Sequence, residues 1–232
     1  MFNGIVLINK PVGWTSFDVV AKIRGIVSSG QQQRVKVGHS GTLDPLASGL
    51  LIIFLGSYTK RAQEFTKLDK TYDVTLKLGE HSTTGDQEGK ISMVSKRVPS
   101  QSELEAALVE LTGQQMQRPP MYSAIKINGQ RSYDLARQGK FIKLEPRSIT
   151  IFDNLLLSYS YPTVRFTSHV SSGTYIRSLV EDIGAALGVG AYTTDLQRTR
   201  VGNYDIKDAI SVLKCSSTEI AKRLLNPTEN KN

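Results

Sequence analysis

The chain has 232 residues, and its 29 Lys and Arg against 21 Asp and Glu give a net charge of +8. That length allows one large or two small domains with a sizeable core, and 39% hydrophobic with 22% charged residues is an ordinary globular composition. The longest unbroken apolar run, Leu50 to Leu55, is far too short to span a bilayer, and a single cysteine, Cys215, excludes an intrachain disulfide and any multi-Cys metal site.

His39, His81 and His169 lie far apart and show no metal-ligand spacing. The start, MFNGIVLINKPVGW, has no basic region ahead of an apolar stretch and does not read as a secretory signal. These features point to a cytoplasmic protein with no metal. The basic balance suits nucleic acid or another polyanion. Basic residues also recur beside aromatic residues and glycines in segments read as loops: Lys10, Lys60, Arg61, Lys70, Lys126, Arg131, Arg137 and Lys140.

Taken in order, Gly4 to Asn9 is an apolar strand, and Lys10 to Trp14 turns. Thr15 or Ser16 caps a helix whose Val19, Val20, Ile23, Ile26 and Val27 fall at helical spacing. After the central stretch, Tyr58 to Lys67 is a short charged helix. Lys70 to Leu78 alternates with period two, which puts Tyr72, Val74, Leu76 and Leu78 on one face. Glu80 to Lys90 reads as a polar, mobile loop. Ser100 to Glu103 has capping-box spacing for a helix that ends at Gly113. Met121 to Ile127 is a strand entering a tight turn at Asn128-Gly129, and Ser132 to Gln138 a short helix. Arg147 to Leu157 and Thr163 to Val170 are strands, Ile176 to Leu187 a helix, and Asp195 to Val201 a basic strand. Ser216 caps a last helix reaching Leu225, and the tail PTENKN frays. Several neighbouring strands have connections too short for a helical crossover. The expected class is therefore α+β, with a central mixed, mostly antiparallel sheet flanked by helices and loops.

The central stretch is Gly38 to Leu51, GHSGTLDPLASGLL. Gly38, Gly41 and Gly49 permit tight backbone, and Pro45 fixes the turn after Asp44. His39, Thr42 and Asp44 sit within this bend, which feeds the apolar run Leu50 to Leu55. A rigid polar loop entering a buried strand can hold one side chain at the floor of a cleft, and Asp44 is the candidate.

Four segments hold the polar residues that packing explains least: KPVGWTSFD (10–18), GHSGTLDPLASGLL (38–51), DKTYDV (69–74) and SSGTYIRSL (171–179). In order and spacing they resemble the motifs of the TruB family, the tRNA pseudouridine-55 synthases. The resemblance continues through PPMYSAIKINGQRSYDLARQG (119–139), EPRSITI (145–151) and LQRTRVG (196–202), and covers about the first 200 residues. It implies a pseudouridine synthase fold with an RNA-gripping insertion at about 119–147. The implied reaction isomerises a uridine in the T-arm of tRNA, without a cofactor, on a flipped-out base. Asp44 is then the catalytic carboxylate, Arg177 the guanidinium that pairs with it, and Tyr72 the ring that stacks on the extruded uracil. His39 helps the RNA loop open, Lys10 and Pro11 support the loop beneath the site, Tyr175 lines the pocket and Leu196 packs nearby. Lys126, Arg131, Arg137 and Lys140 grip the RNA.

Ser171 stands where many relatives have cysteine. Only about thirty residues follow Gly202, so the expectation is a catalytic domain over 1–202 and a short C-terminal extension over 203–232 in place of a complete PUA domain. The expected enzyme is a monomer. Two rivals share the fold: a non-catalytic tRNA-folding chaperone, and a synthase acting on another RNA.

Overall fold

The Thr15 hydroxyl accepts a hydrogen bond from the Asp18 amide, and the Asp18 carboxylate accepts one from the Thr15 amide, so a capping box starts the first helix. The computed structural model describes residues 2–32, 34–123, 126–127, 130–132 and 144–227. In chain order its strands are β1 (Gly4–Lys10), β2 (Val37–Ser40), β3 (Ser48–Leu55), β4 (Lys70–Leu78), β5 (Glu80–Ser82), β6 (Ile91–Met93) and β7 (Gly113–Gln117). There follow β8 (Lys126–Ile127), β9 (Gln130–Arg131), β10 (Arg147–Ser160), β11 (Thr163–Val170), β12 (Ala191–Val201), β13 (Tyr204–Asp205) and β14 (Ile210–Ser211). The helices are α1 (Ser16–Ser28), α2 (Ala62–Thr66), α3 (Gln101–Glu110), α4 (Ile176–Ala186) and α5 (Ser217–Lys222).

The chain forms two units, one of Met1–Lys70 with Gln197–Asn232 and one of Thr71–Leu196. In the first unit β3 is the hub. It pairs antiparallel with β1 along one edge, Ile8 opposite Leu51, and β1 pairs parallel with β14. The other edge of β3 is shared: β12 pairs parallel at Ser48 and Gly49, and β2 pairs antiparallel from Ile52 to Leu55. Every residue of β3 after Ser48 is buried. A strand covered on both faces needs no polar alternation, which explains the unbroken run. Leu50, Ile52 and Phe54 join Ile5, Leu7, Phe65 and Val201 in one cluster.

In the second unit the strand order is β12-β4-β11-β10-β7. Burial alternates along β4 and β11 as their period-two sequences require. β10 pairs antiparallel with β11 and β7, and α3 is tied to it where the Asn154 amide donates to the Leu108 carbonyl at 3.1 Å. Ser100 and Glu103 form the expected capping box on α3. With the pairings in both units, the α+β class and the mostly antiparallel sheet are as expected.

Several expectations need correction. β2 was read as part of a loop, and β12 starts at Ala191, before Asp195. The segment 80–90 is no loose loop. β5 and β6 pair, Ser82 and Asp86 are buried, and the Thr193 amide donates to the Gly85 carbonyl at 2.9 Å. Its turn-like composition concealed the polar partners that fold it back. Of the 121–138 region, Met121 to Ser123 bends and β8 pairs with β9. The turn at 128–129, the helix beyond Ser132 and the tail from 228 lie outside the described residues.

Gly49 shows how tightly β3 meets β12. Its φ is +109°, and a Cβ there would lie 2.3 Å from the Arg198 carbonyl oxygen. Gly49→Ala should therefore destabilise the protein by about 3 kcal/mol or more, from positive-φ strain together with a backbone clash. Chemical denaturation of the two proteins measures this, and a loss under about 1 kcal/mol would mean that the strands separate easily at this point.

Candidate active site

Asp44 sits in the 41–47 connection between β2 and β3. Sequence dictates this bend through Gly41, at φ +69°, and through Pro45 after the aspartate. Long-range bonds then fix it. Ser16, 2% exposed, accepts from the Leu43 amide at 2.9 Å and donates to the Leu43 carbonyl at 3.3 Å. The Gly13 amide donates to the Pro45 carbonyl at 2.7 Å, and the Ala47 amide to the Asp44 carbonyl at 3.1 Å. Of the residues flanking Asp44, Leu43 is thus held by the start of α1 and Pro45 by the turn that follows β1.

Lys10, Arg198 and Lys70 are buried in this unit. Lys10, at the end of β1, is fully buried, and its ammonium donates to the carbonyls of Pro11 at 2.9 Å and Trp14 at 2.7 Å. It therefore braces the 10–14 turn. Arg198 is 1% exposed. Its Nε donates to the Leu50 carbonyl at 2.8 Å and its Nη2 to the Gly41 carbonyl at 3.0 Å, so one guanidinium ties the two ends of the Asp44 connection. Lys70, at the start of β4, donates to the carbonyls of Thr66 at 2.6 Å and Leu68 at 2.5 Å.

Burial pulls the Lys10 pKa down to about 8; the nearby Asp44 carboxylate opposes this, and Arg198 adds to it. Burial and then Arg198 pull Lys70 down to about 8. His39 is lowered by the same two causes in the same order. Its Nδ1 is buried without a hydrogen-bond partner among the described residues, so the ring is best accommodated neutral.

The other expected site residues belong to the second unit. Tyr72 is 9% exposed on the buried face of β4. Tyr175 is the N-cap of α4, and its backbone is held at both polar groups by the buried Gln117. The Tyr175 amide donates to Gln117 Oε1 at 2.8 Å, and Gln117 Nε2 donates to the Tyr175 carbonyl at 3.0 Å. Arg177 follows on the first turn of α4 and is 5% exposed. It donates to the carbonyls of Thr84 at 3.0 Å and Tyr122 at 2.7 Å, and pairs with Asp86 at 3.2 Å. Asp86 in turn accepts from the Thr84 hydroxyl at 2.5 Å and the Glu88 amide at 3.0 Å. Leu196 is buried on β12. Lys126 and Arg131 lie on the paired strands β8 and β9, while Arg137 and Lys140 are outside the described residues. Among the described residues no three His, Cys, Asp or Glu side chains gather as a metal-ligand set.

Reading the sequence for chemistry passes over Arg198, Gln117 and Asp86, and places Lys70 only among the basic residues of segments read as loops. Arg198 and Lys70 looked like surface cations because basic residues usually are. Their partners are backbone carbonyls, which leave no trace in side-chain composition.

Residues 29–176 match the TruB family pseudouridylate synthase N-terminal domain, and 177–230 the tRNA pseudouridylate synthase B C-terminal domain. The chain is 41% identical to the tRNA pseudouridine synthase B of Burkholderia lata, over 96% of this chain and 68% of that protein. It is 43% identical to the enzyme of the same name from Clostridium novyi, over 99% and 78%. Among solved structures, a Cbf5-Nop10-Gar1 complex contains a chain that matches with a TM-score of 0.69 and 31% identity, over 90% of this chain and 52% of that one.

The buried lysines set a pH dependence. Each binds its proton less tightly folded than unfolded, with a pKa of about 8 against 10.5. Below the lower value both states are charged and the whole cost of burial is present. Between the two values the unfolded chain holds more protons, so these groups make stability rise with pH, by up to on the order of 3 kcal/mol each. Relative to a Lys10→Met/Lys70→Met variant, the wild type should gain stability from pH 8 to pH 10 in urea titrations. A constant difference across that range would mean that both ammonium groups are effectively solvated.

Proposed function

Because the chain belongs to the TruB family of pseudouridylate synthases, we propose that it isomerises uridine-55 in the T-arm of tRNA to pseudouridine, acting as a cytoplasmic monomer. The observation that carries the reading is the Asp44 connection. A single carboxylate is set on a bend that Ser16, Gly13 and Arg198 hold from both sides, with the buried ammonium of Lys10 electrostatically coupled to it. A carboxylate so placed does not need to reorganise before it acts.

The reaction balances without an external reagent. The bond from the sugar carbon to the uracil nitrogen breaks, the base turns within the site, and a carbon–carbon bond forms from C5 to the same sugar carbon. The C5 hydrogen leaves as a proton, and the freed nitrogen takes one up. Asp44 supplies the carboxylate that opens this sequence, either as a nucleophile or as the base that starts an elimination. A glycosidase needs a second carboxyl group to protonate a departing alcohol. Uracil leaves as a delocalised anion and is recaptured, so one carboxylate suffices. Arg177 supplies a guanidinium whose position is set by Asp86, Thr84 and Tyr122. Tyr72 offers a ring for the flipped base, and the basic residues of the 119–147 segment grip the RNA backbone.

Asp44→Asn should abolish tritium release from tRNA carrying 5-tritiated uridine while retaining tRNA binding, because the near-isosteric amide cannot supply a charge. Multiple turnover by a preparation free of wild-type enzyme would refute the assignment. Tyr72→Leu should lose base stacking worth roughly 1–3 kcal/mol, read as a drop in single-turnover rate with the melting temperature nearly kept. A rate close to wild type would leave Tyr72 as a packing residue of β4.

A further inference from the structure

We infer that a second polyanion-binding surface lies on the first unit, built from Arg24, Arg34 and Lys36, and that it takes backbone phosphates of the RNA substrate. The inference rests on the RNA reading above but concerns a different part of the chain from the 119–147 segment. Between Asp18 and Asp44 the sequence carries Lys22, Arg24, Arg34 and Lys36 and no Asp or Glu. Four net positive charges of the chain's eight thus fall in this short stretch. Most charged surfaces mix the two signs, and a stretch with one sign alone raises the local potential.

The fold concentrates these charges further. The Val35 amide donates to the Ser28 hydroxyl at 3.0 Å, which returns the chain to the end of α1 before β2 begins. That fold-back creates two shallow cavities of about 300 and 380 Å³. Arg24 and Arg34 line both, and Lys36 lines the first. Arg34 and Lys36 are exposed and Arg24 is half-buried. None of the three forms an ion pair among the described residues. The sole hydrogen bond given by one of these side chains there is a long one, from Arg24 to the Val37 carbonyl at 3.5 Å. A solvated cationic face would scatter such groups over a convex surface; here they converge on a concave one. Two arginines and a lysine at the rim of a shallow hollow match phosphate oxygens, which accept forked hydrogen bonds from guanidinium. The surface is also continuous in chain with the site. Lys36 immediately precedes β2, which carries His39 and leads into the Asp44 connection. RNA phosphates are the one polyanion that the proposed reaction brings to that connection.

The test is a salt titration of wild-type binding to T-arm stem-loop RNA, repeated for Arg24→Gln/Arg34→Gln/Lys36→Gln. A control, Lys96→Gln/Lys214→Gln/Lys222→Gln, removes the same charge at exposed positions elsewhere. Each lost phosphate contact lowers the slope of log K against log salt by about 0.7–0.9. The triple variant should therefore lose about two to three units of slope, with a raised KM for tRNA, while the control keeps the wild-type slope. An unchanged slope in the triple variant overturns the proposal. So does an equal loss in the control, which would mean diffuse net charge and no defined surface. Tritium release by the wild type is measured alongside. If RNA binds with the expected slopes but no tritium is released, the isomerase reading fails and the surface stands. If tritium is released and the triple variant binds like wild type, the surface fails and the isomerase stands.

Discussion

The arrangement of the first unit depends on what happens at one edge of β3. Two different strands share that edge, β12 at Ser48 and Gly49 and β2 from Ile52 onward. A fork of this kind leaves backbone groups between the branches without a ladder partner, and a buried carbonyl left bare is costly. Arg198 resolves the fork. Its backbone pairs with Gly49, and its side chain turns along the edge to the Leu50 carbonyl and on to Gly41, where the chain leaves β2. One residue thus closes the sheet edge and fastens the connection that bears Asp44. Glycine at 49 is what lets the Arg198 backbone approach so closely.

The fork has an electrostatic consequence. Burying a guanidinium is unfavourable unless it is fully hydrogen-bonded, and here Lys10 and Lys70 add two ammonium groups to the same unit. All three donate to carbonyl oxygens. Carbonyls satisfy hydrogen bonds but supply no full negative charge, so these cations stay desolvated: burial first, and the neighbouring Arg198 to a smaller extent, lowers Lys10, His39 and Lys70. The buried cations Lys10 and Arg198 hold the chain on both sides of the bend that presents Asp44. The second unit solves a similar problem differently. Arg177 has a carboxylate partner in Asp86, and removing one member of a buried pair costs far more than the pair contributes. That explains why the 80–90 segment is folded back and fixed, even though its sequence reads as a loose turn.

The parts of this architecture visible in the sequence are those written in local chemistry. α1 and α3 announce themselves by Thr15 with Asp18 and Ser100 with Glu103. β4 and β11 are betrayed by strict alternation, and β3 by an apolar run that only a strand buried on both faces requires. The candidate residues were legible for another reason: glycines and prolines constrain the backbone around Asp44, and those constraints survive in the sequence. What stayed hidden is set by distant partners. β2 is the polar tetrapeptide VGHS and becomes a strand only because β3 offers an edge. Arg198 finds Leu50 from 148 positions away. Nothing local separates that arginine from a solvent-facing one, nor Lys10 and Lys70 from lysines on the surface.

This difference bears on how the chain's positive charge is divided. Three cations that composition would assign to an RNA-facing surface are withdrawn into the first unit and spent on carbonyls. Arg61 is engaged by Glu64 at 2.9 Å and by the Pro227 carbonyl at 2.7 Å. The net charge of +8 is therefore a poor guide to how much electrostatic attraction is available to a polyanion. The useful quantity is the subset of cations that are exposed and lack intramolecular partners. Among the described residues Arg34 and Lys36 belong to it and Lys10 does not, although all three precede Asp44 in the same unit. Neutralising Lys10 should act through the geometry of the 10–14 turn that holds the Asp44 bend, whereas Arg34 and Lys36 act on the ionic-strength dependence of encounter. Identical formal charges thus belong to different steps, and burial decides which.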